Sequence, residues 1–132
     1  MKVLSASEVR ADLAPVLVTC LDTHYTVVTH RWLTREFLPF WAQWLFSLGS
    51  QYVLNKWDCD KFARAFQSQM HIACFQAHAA HSGAIGFIAT NDKGGHALNI
   101  LKTDRGWYEV EPQNSRVTPL RKERKEIRYA IF

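Results

Sequence analysis

The stretch Asn55-Lys56-Trp57-Asp58-Cys59-Asp60-Lys61-Phe62-Ala63 decides how the chain is read. It opens with residues that suit a turn and closes on the first apolar positions of a helix. Asp58 stands where an N-cap belongs, which puts Cys59 in the first helical turn. Unpaired backbone N–H groups and the positive end of the helix dipole gather there. Both favour the thiolate, the form of cysteine that acts as a nucleophile. Downstream, Phe62, Ala63, Phe66, Met70, Ala73, Cys74 and Ala77 recur at helical spacing, so one face is apolar and turned to a core. The spacing predicts a helix from Cys59 to about His81, where Ser82-Gly83 ends it. At 1.5 Å per residue that helix is ~33 Å long, enough to cross a small domain. Free cysteine is also among the most buried residue types, so an inert, packed Cys59 is the competing reading of the stretch alone.

Composition sets the frame around this helix. A chain of 132 residues suits a single domain, residues 1–132, with one core. Its hydrophobic content of 48% and charged content of 21% are those of a globular protein. Five Trp, eight Phe and four Tyr supply large core-forming side chains. No apolar run is long enough to span a bilayer. Met1-Lys2-Val3-Leu4 is too short for the apolar part of a signal peptide, and polar Ser5, Ser7 and Glu8 follow at once. The expectation is a cytoplasmic chain by default, with no membrane partner.

The net charge of +4 is spread among acidic residues. The densest run, Arg121-Lys122-Glu123-Arg124-Lys125-Glu126, reads as a solvated turn guarding the edge of a sheet, not as a nucleic-acid contact, because two Glu interrupt it. The three cysteines, Cys20, Cys59 and Cys74, form no CxxC and no Cys/His knuckle. They predict reduced thiols, no disulfide framework and no structural zinc. His71, His78 and His81 lie roughly along one side of the long helix and read as a solvated face, not as metal ligands.

Ser7 to Val18 predicts a helix that Pro15 ends, and Tyr25 to Thr29 a short strand. Thr34 is placed to cap a helix whose Phe37, Phe40, Trp41, Trp44, Leu45 and Leu48 form an apolar stripe, closed by Gly49. Beyond Ser82-Gly83 the period changes to that of strands: Ala84–Ala89, His96–Lys102, Trp107–Glu111, Arg116–Leu120 and Ile127–Phe132. Asn91-Asp92-Lys93-Gly94-Gly95 and Asp104-Arg105-Gly106 are the turns. Helices followed by an antiparallel meander read as α+β.

Two positions in the meander carry chemistry. His96 opens one strand and Glu111 closes the next, at similar offsets from the Asp104-Arg105-Gly106 turn, so antiparallel pairing brings them together. Each alone is more often structural. Cysteine, histidine and carboxylate then follow in chain order on a helix start and two adjacent strands.

In that order, and in Asp58-Cys59-Asp60-Lys61-Phe62-Ala63, Gly95-His96-Ala97-Leu98-Asn99 and Glu111-Pro112-Gln113, the chain resembles papain-like cysteine peptidases and transglutaminase-like enzymes. It is most similar to the papain-fold C-terminal domain of the fairy-ring mushroom agglutinin, over roughly Tyr52 to Val117. The resemblance implies a helical N-terminal half packed on an antiparallel sheet. It also implies a thiol hydrolase of peptide or isopeptide amides that needs no cofactor, with a peptide or protein substrate. Cys59 would be the nucleophile, His96 the base and acid, and Glu111 the orienting group. Val53 stands where papain has its oxyanion-hole glutamine, which leaves Gln51, Asn55 and Gln113 as polar candidates. An NlpC-type cell-wall amidase, a transglutaminase-like acyl transferase and a catalytically silent binding module on the same fold are the alternatives.

Overall fold

The computed structural model of the protein describes residues 2–49 and 51–132, without the side chain of Lys93. Met1 of the N-terminal segment lies outside them. β1 (Val3–Ser5) runs straight into α1 (Ala6–Leu13) through a capping box. Ser5 Oγ accepts from the Glu8 N–H at 3.2 Å, and the Glu8 carboxylate accepts from the Ser5 N–H at 2.7 Å. β2 (Val18–Thr19) and β3 (His24–Thr26) follow.

Thr29, not Thr34, caps the next helical segment: its hydroxyl accepts from the Trp32 N–H at 3.0 Å. α2 (His30–Trp32), a π-helical turn (Leu33–Phe37) and α3 (Leu38–Ser47) run on without a break. Thr34 is internal, and its hydroxyl donates to the His30 carbonyl at 3.0 Å. Of the expected stripe, Phe37 and Trp41 are buried while Phe40 and Leu48 are exposed.

α4 (Cys59–Gln76) buries Phe62, Ala63, Phe66, Met70 and Cys74. Phe66 meets the edges of Phe37 and Trp41, with ring centroids 5.2 and 5.1 Å away. The helix stops short of His81, and His78 turns the chain with φ 58°. Asp58 holds the N-cap position but makes no side-chain cap. Its carboxylate turns back to accept from the Asn55 N–H at 2.8 Å and to meet Lys61 at 3.2 Å.

β4 (Ile85–Thr90), β5 (His96–Thr103), β6 (Gly106–Glu111), β7 (Arg116–Pro119) and β8 (Ile127–Ile131) complete the chain. They join β2 in a six-stranded sheet of order β2-β8-β4-β5-β6-β7, while β1 and β3 pair separately. The α3 and α4 side of the sheet buries Ile85, Leu101 and Val110. The other side buries Ile88, Leu98, Ile100 and Ala130 against α1 and the β1–β3 segment.

The expectation of a helical N-terminal half laid on an antiparallel sheet, as in a papain-like or transglutaminase-like fold, is corrected by this topology. The N-terminal half supplies β1, β2 and β3, and β2 pairs parallel with β8, Val18 against Ala130. β8 therefore lies between β2 and β4, so the Arg121–Glu126 run does not guard a sheet edge. The physical reason is that strands this short are made by distant partners. Local periodicity carries no record of those partners.

Candidate functional site

Cross-strand register decides which side chains of the β5–β6–β7 end share a face. Asn99 pairs with Val110 and Ile100 with Glu109; Glu109 pairs with Thr118 and Glu111 with Arg116. Asn99 and Val110 therefore face α4. The Asn99 amide donates to the Ala63 carbonyl of that helix at 2.8 Å and to the Gly86 carbonyl at 3.2 Å. Leu98, Glu109, Glu111, Arg116 and Thr118 fall on the opposite face. There they line a cleft of about 470 Å³, completed by His96, Asp92, Arg121 and the turn residues Gln113 and Asn114.

Its floor is an ion network. The Arg121 guanidinium grips Glu109 with two prongs, Nε to Oε2 at 2.9 Å and Nη2 to Oε1 at 2.8 Å. Nη1 reaches Asp92 at 3.1 Å and Glu126 at 3.3 Å. The Arg121 backbone N–H adds a bond to Glu109 at 2.8 Å. Glu109 is buried, and these bonds satisfy its carboxylate oxygens there. The same bonds to Glu109 raise the affinity of Arg121 for its proton. Hydrogen bonding by Thr90, and then by Arg121, holds the Asp92 carboxyl below the usual aspartate range.

His96 and Glu111 form the wall. The imidazole Nε2 lies 2.5 Å from Glu111 Oε2, with the two side chains 23% and 22% exposed. An ionised carboxylate only accepts, so with Glu111 ionised the bond is donated by Nε2–H. The register puts Glu111 opposite Leu98, so the pair meets diagonally, not directly across the hairpin. Glu111 Oε1 also accepts from the Gln113 N–H at 3.3 Å, and Asn114 Oδ1 accepts from the Arg116 N–H at 3.0 Å. Buried Trp41 donates through its indole N–H to the Pro112 carbonyl at 2.7 Å, which ties the β6–β7 turn to α3.

The other expected residues are placed around this cleft. Cys59 is the first residue of α4, half-buried, and is not among the residues lining the cleft. Gln51 lines a second pocket, of about 280 Å³, with Phe46, Tyr52 and Phe62; Gln113 belongs to both pockets. Asn55 sits in the turn before α4 with φ 59°. Asp58 is held ionised down to about 2, first by hydrogen bonding with Asp60, then by the Asn55 N–H and Lys61. Asp92, Arg116 and Arg121 complete the cleft without a sequence motif that marks them as site residues. Arg121 was hidden in a charge run, and only the alternation along β6 and β7 hints that Arg116 shares a face with Glu111. Among the described residues no group of three or more His, Cys, Asp or Glu could hold a metal ion. No helix of theirs is long and apolar enough to cross a membrane.

The fold has counterparts among solved structures. No family model matches the sequence, and no curated protein matches it. Among solved structures, the protein is similar to PSL1a in a complex titled with E64, at TM-score 0.77 and 18% identity over 98% of this chain. It is also similar to Polyporus squamosus lectin bound to the human-type influenza-binding epitope Neu5Acα2-6Galβ1-4GlcNAc, at TM-score 0.75 and 16% identity over 98% of this chain. The chain spans about half the length of each, 50% and 49%.

These likenesses correct the assignment to papain-like cysteine peptidases. One of the structures matched is titled as a lectin, neither is titled as a peptidase, and the likeness to the fairy-ring agglutinin has no support from them. The thiol hydrolase reading, its peptide substrate and the classification as an enzyme are withdrawn with it. The physical source of the error is that three residue types in chain order are a short pattern, and a fold hosts many functions.

Proposed function

We propose that the chain is a carbohydrate-binding module, residues 1–132 acting as one unit, with the β5–β6–β7 cleft as its binding site. The observation that carries this reading is the cleft's chemistry. Ligand pockets of about 300–1,000 Å³ are usually lined by apolar and aromatic side chains. This one, at about 470 Å³, has Leu98 as its single apolar lining residue. Such a wall suits a ligand dense in hydroxyls. Glu111 and the amide oxygens of Gln113 and Asn114 can accept from hydroxyls, while Arg116, Thr118 and the amide N–H groups can donate. The Arg121 network supports the reading in a second way: it fixes the floor before any ligand arrives, which lowers the ordering cost of binding.

One matched lectin is named for a sialylated trisaccharide. That chain is twice as long and the likeness extends to fold alone, so support for a glycan comes from the cleft. The test is amide-resolved NMR titration of the whole chain with sialylated and neutral mono- and oligosaccharides. Shifts at His96, Glu111 and Gln113 to Arg116 that saturate in the micromolar-to-millimolar range are expected, and Glu111→Gln together with Gln113→Ala should remove them. Silence of those amides toward every glycan at ~10 mM would end the proposal, since that corresponds to less than ~3 kcal/mol of binding.

A further inference from the structure

The β6–β7 turn separates two pockets. On one side lies the polar cleft; on the other, toward α3, lies the pocket of Phe46, Tyr52, Phe62 and Gln51. Gln113 and Asn114 line both, so the two spaces meet across that turn. The second pocket differs in kind. Its aromatic side chains include two that soluble proteins usually cover: Phe46 is 87% exposed and Tyr52 51%. An exposed aromatic ring offers a flat apolar face, and tyrosine adds a hydroxyl at its edge.

Resting on the carbohydrate reading, we infer that the ligand is an oligosaccharide that crosses the β6–β7 turn, its terminal sugar in the polar cleft and its next sugar against Tyr52 and Phe46. A pyranose has an apolar C–H face and a rim of hydroxyls, and the second pocket supplies a partner for each. The rings of Tyr52 and Phe46 meet the face, and Gln51, Gln113 and Asn114 meet the rim. The turn is firm enough to serve as the ridge between them because the Trp41 indole holds its Pro112 carbonyl at 2.7 Å from behind. A monosaccharide would fill one pocket and leave the other unused.

The test compares N-acetylneuraminic acid with Neu5Acα2-6Galβ1-4GlcNAc in the same NMR titration, with an uncharged Gly-Ser hexapeptide as the non-glycan probe. Expected is that the monosaccharide shifts only the cleft amides, whereas the trisaccharide also shifts Phe46 and Gln51 to Leu54 and binds about tenfold tighter. That tenfold gain should disappear in Tyr52→Ala and, independently, in Phe46→Ala. Both residues are solvent-exposed, so both variants should fold, as thermal melting would verify. A trisaccharide that shifts the cleft alone, with the same affinity as the monosaccharide, overturns the inference and leaves the carbohydrate reading standing. Silence of both pockets toward both sugars overturns both. Saturable shifts across both pockets with the hexapeptide, and none with the sugars, replace the glycan with an extended peptide and overturn both as well.

Discussion

On the helix side of β5 and β6, Asn99, Leu101 and Val110 are sealed against α4; on the other side the same two strands carry His96, Glu109 and Glu111 into a cleft. The backbone is shared, so the difference lies in what covers each face. A face roofed by a helix excludes water, and its residues are apolar or, like Asn99, hydrogen-bonded to backbone on both sides. Beyond the part of the other face that α1 and the β1–β3 segment cover, the cleft end is roofed by the Arg121 segment and must satisfy its charges among themselves. It does so with one guanidinium shared by three carboxylates. The first kind of surface stabilises by packing and the second by pairing, and the two should fail differently.

The largest effect is expected on the packed side. Phe66 is fully buried between Phe37, Trp41 and the sheet. Phe66→Ala should cost about 4 kcal/mol through lost transfer energy and the cavity left behind. In urea unfolding the midpoint should fall while the slope holds. The cleft amides of the folded variant should be unmoved. If they shift as much as those of α4, the two faces are one mechanical unit and the comparison breaks.

Arg121→Met comes next, at about 3 kcal/mol, because it leaves buried Glu109 charged and unpaired. Loss of packing has no chemical remedy, but loss of pairing has one. Adding Glu109→Gln to Arg121→Met should recover at least half of the stability, since the orphaned charge is gone. A cost below ~1 kcal/mol for Arg121→Met would place the network with ordinary surface ion pairs and remove the contrast.

The helix side was the more legible of the two. Phe62, Ala63, Phe66, Met70 and Cys74 announce their face by period alone, because a helix repeats its environment every turn. The β5–β6 hairpin was legible from Asp104-Arg105-Gly106, where Gly106 takes φ 124° and closes the turn. The hairpin's strand offsets foretold that His96 and Glu111 would meet. Three things were not legible, the first two because they depend on partners far along the chain. β2 finds β8 across the whole sequence. Arg121 is drawn inward by a carboxylate 12 residues upstream. Asp58 gives up its cap to bind Asn55 and Lys61, a local competition that propensity ranks but does not resolve. The functional class failed for a related reason. Chain order of three residue types is a weak constraint on function, because the same residues serve structure as readily as chemistry.

The smallest effect belongs to Asp92, a part-exposed member of the Arg121 network, with its side chain 34% exposed. Its carboxyl is held below its ordinary value of 3.8, by Thr90 first and Arg121 second. A carboxyl whose folded value is depressed contributes stability that is fully present above its unfolded value. That stability is lost as pH falls through and below it, because the unfolded chain then binds the proton more readily. The Asp92 contribution should therefore be intact at neutral pH and fade only from about pH 4 downward. Asp92→Asn keeps the shape and removes the titration. Thermal melts of the two proteins should differ by a small, constant amount above pH 5 and converge on acidification, with solvent screening keeping the gap well under that of Arg121→Met. Curves that stay parallel down to pH 2 would mean that Asp92 acts through shape alone, and the pairing account of this face would then rest on Glu109.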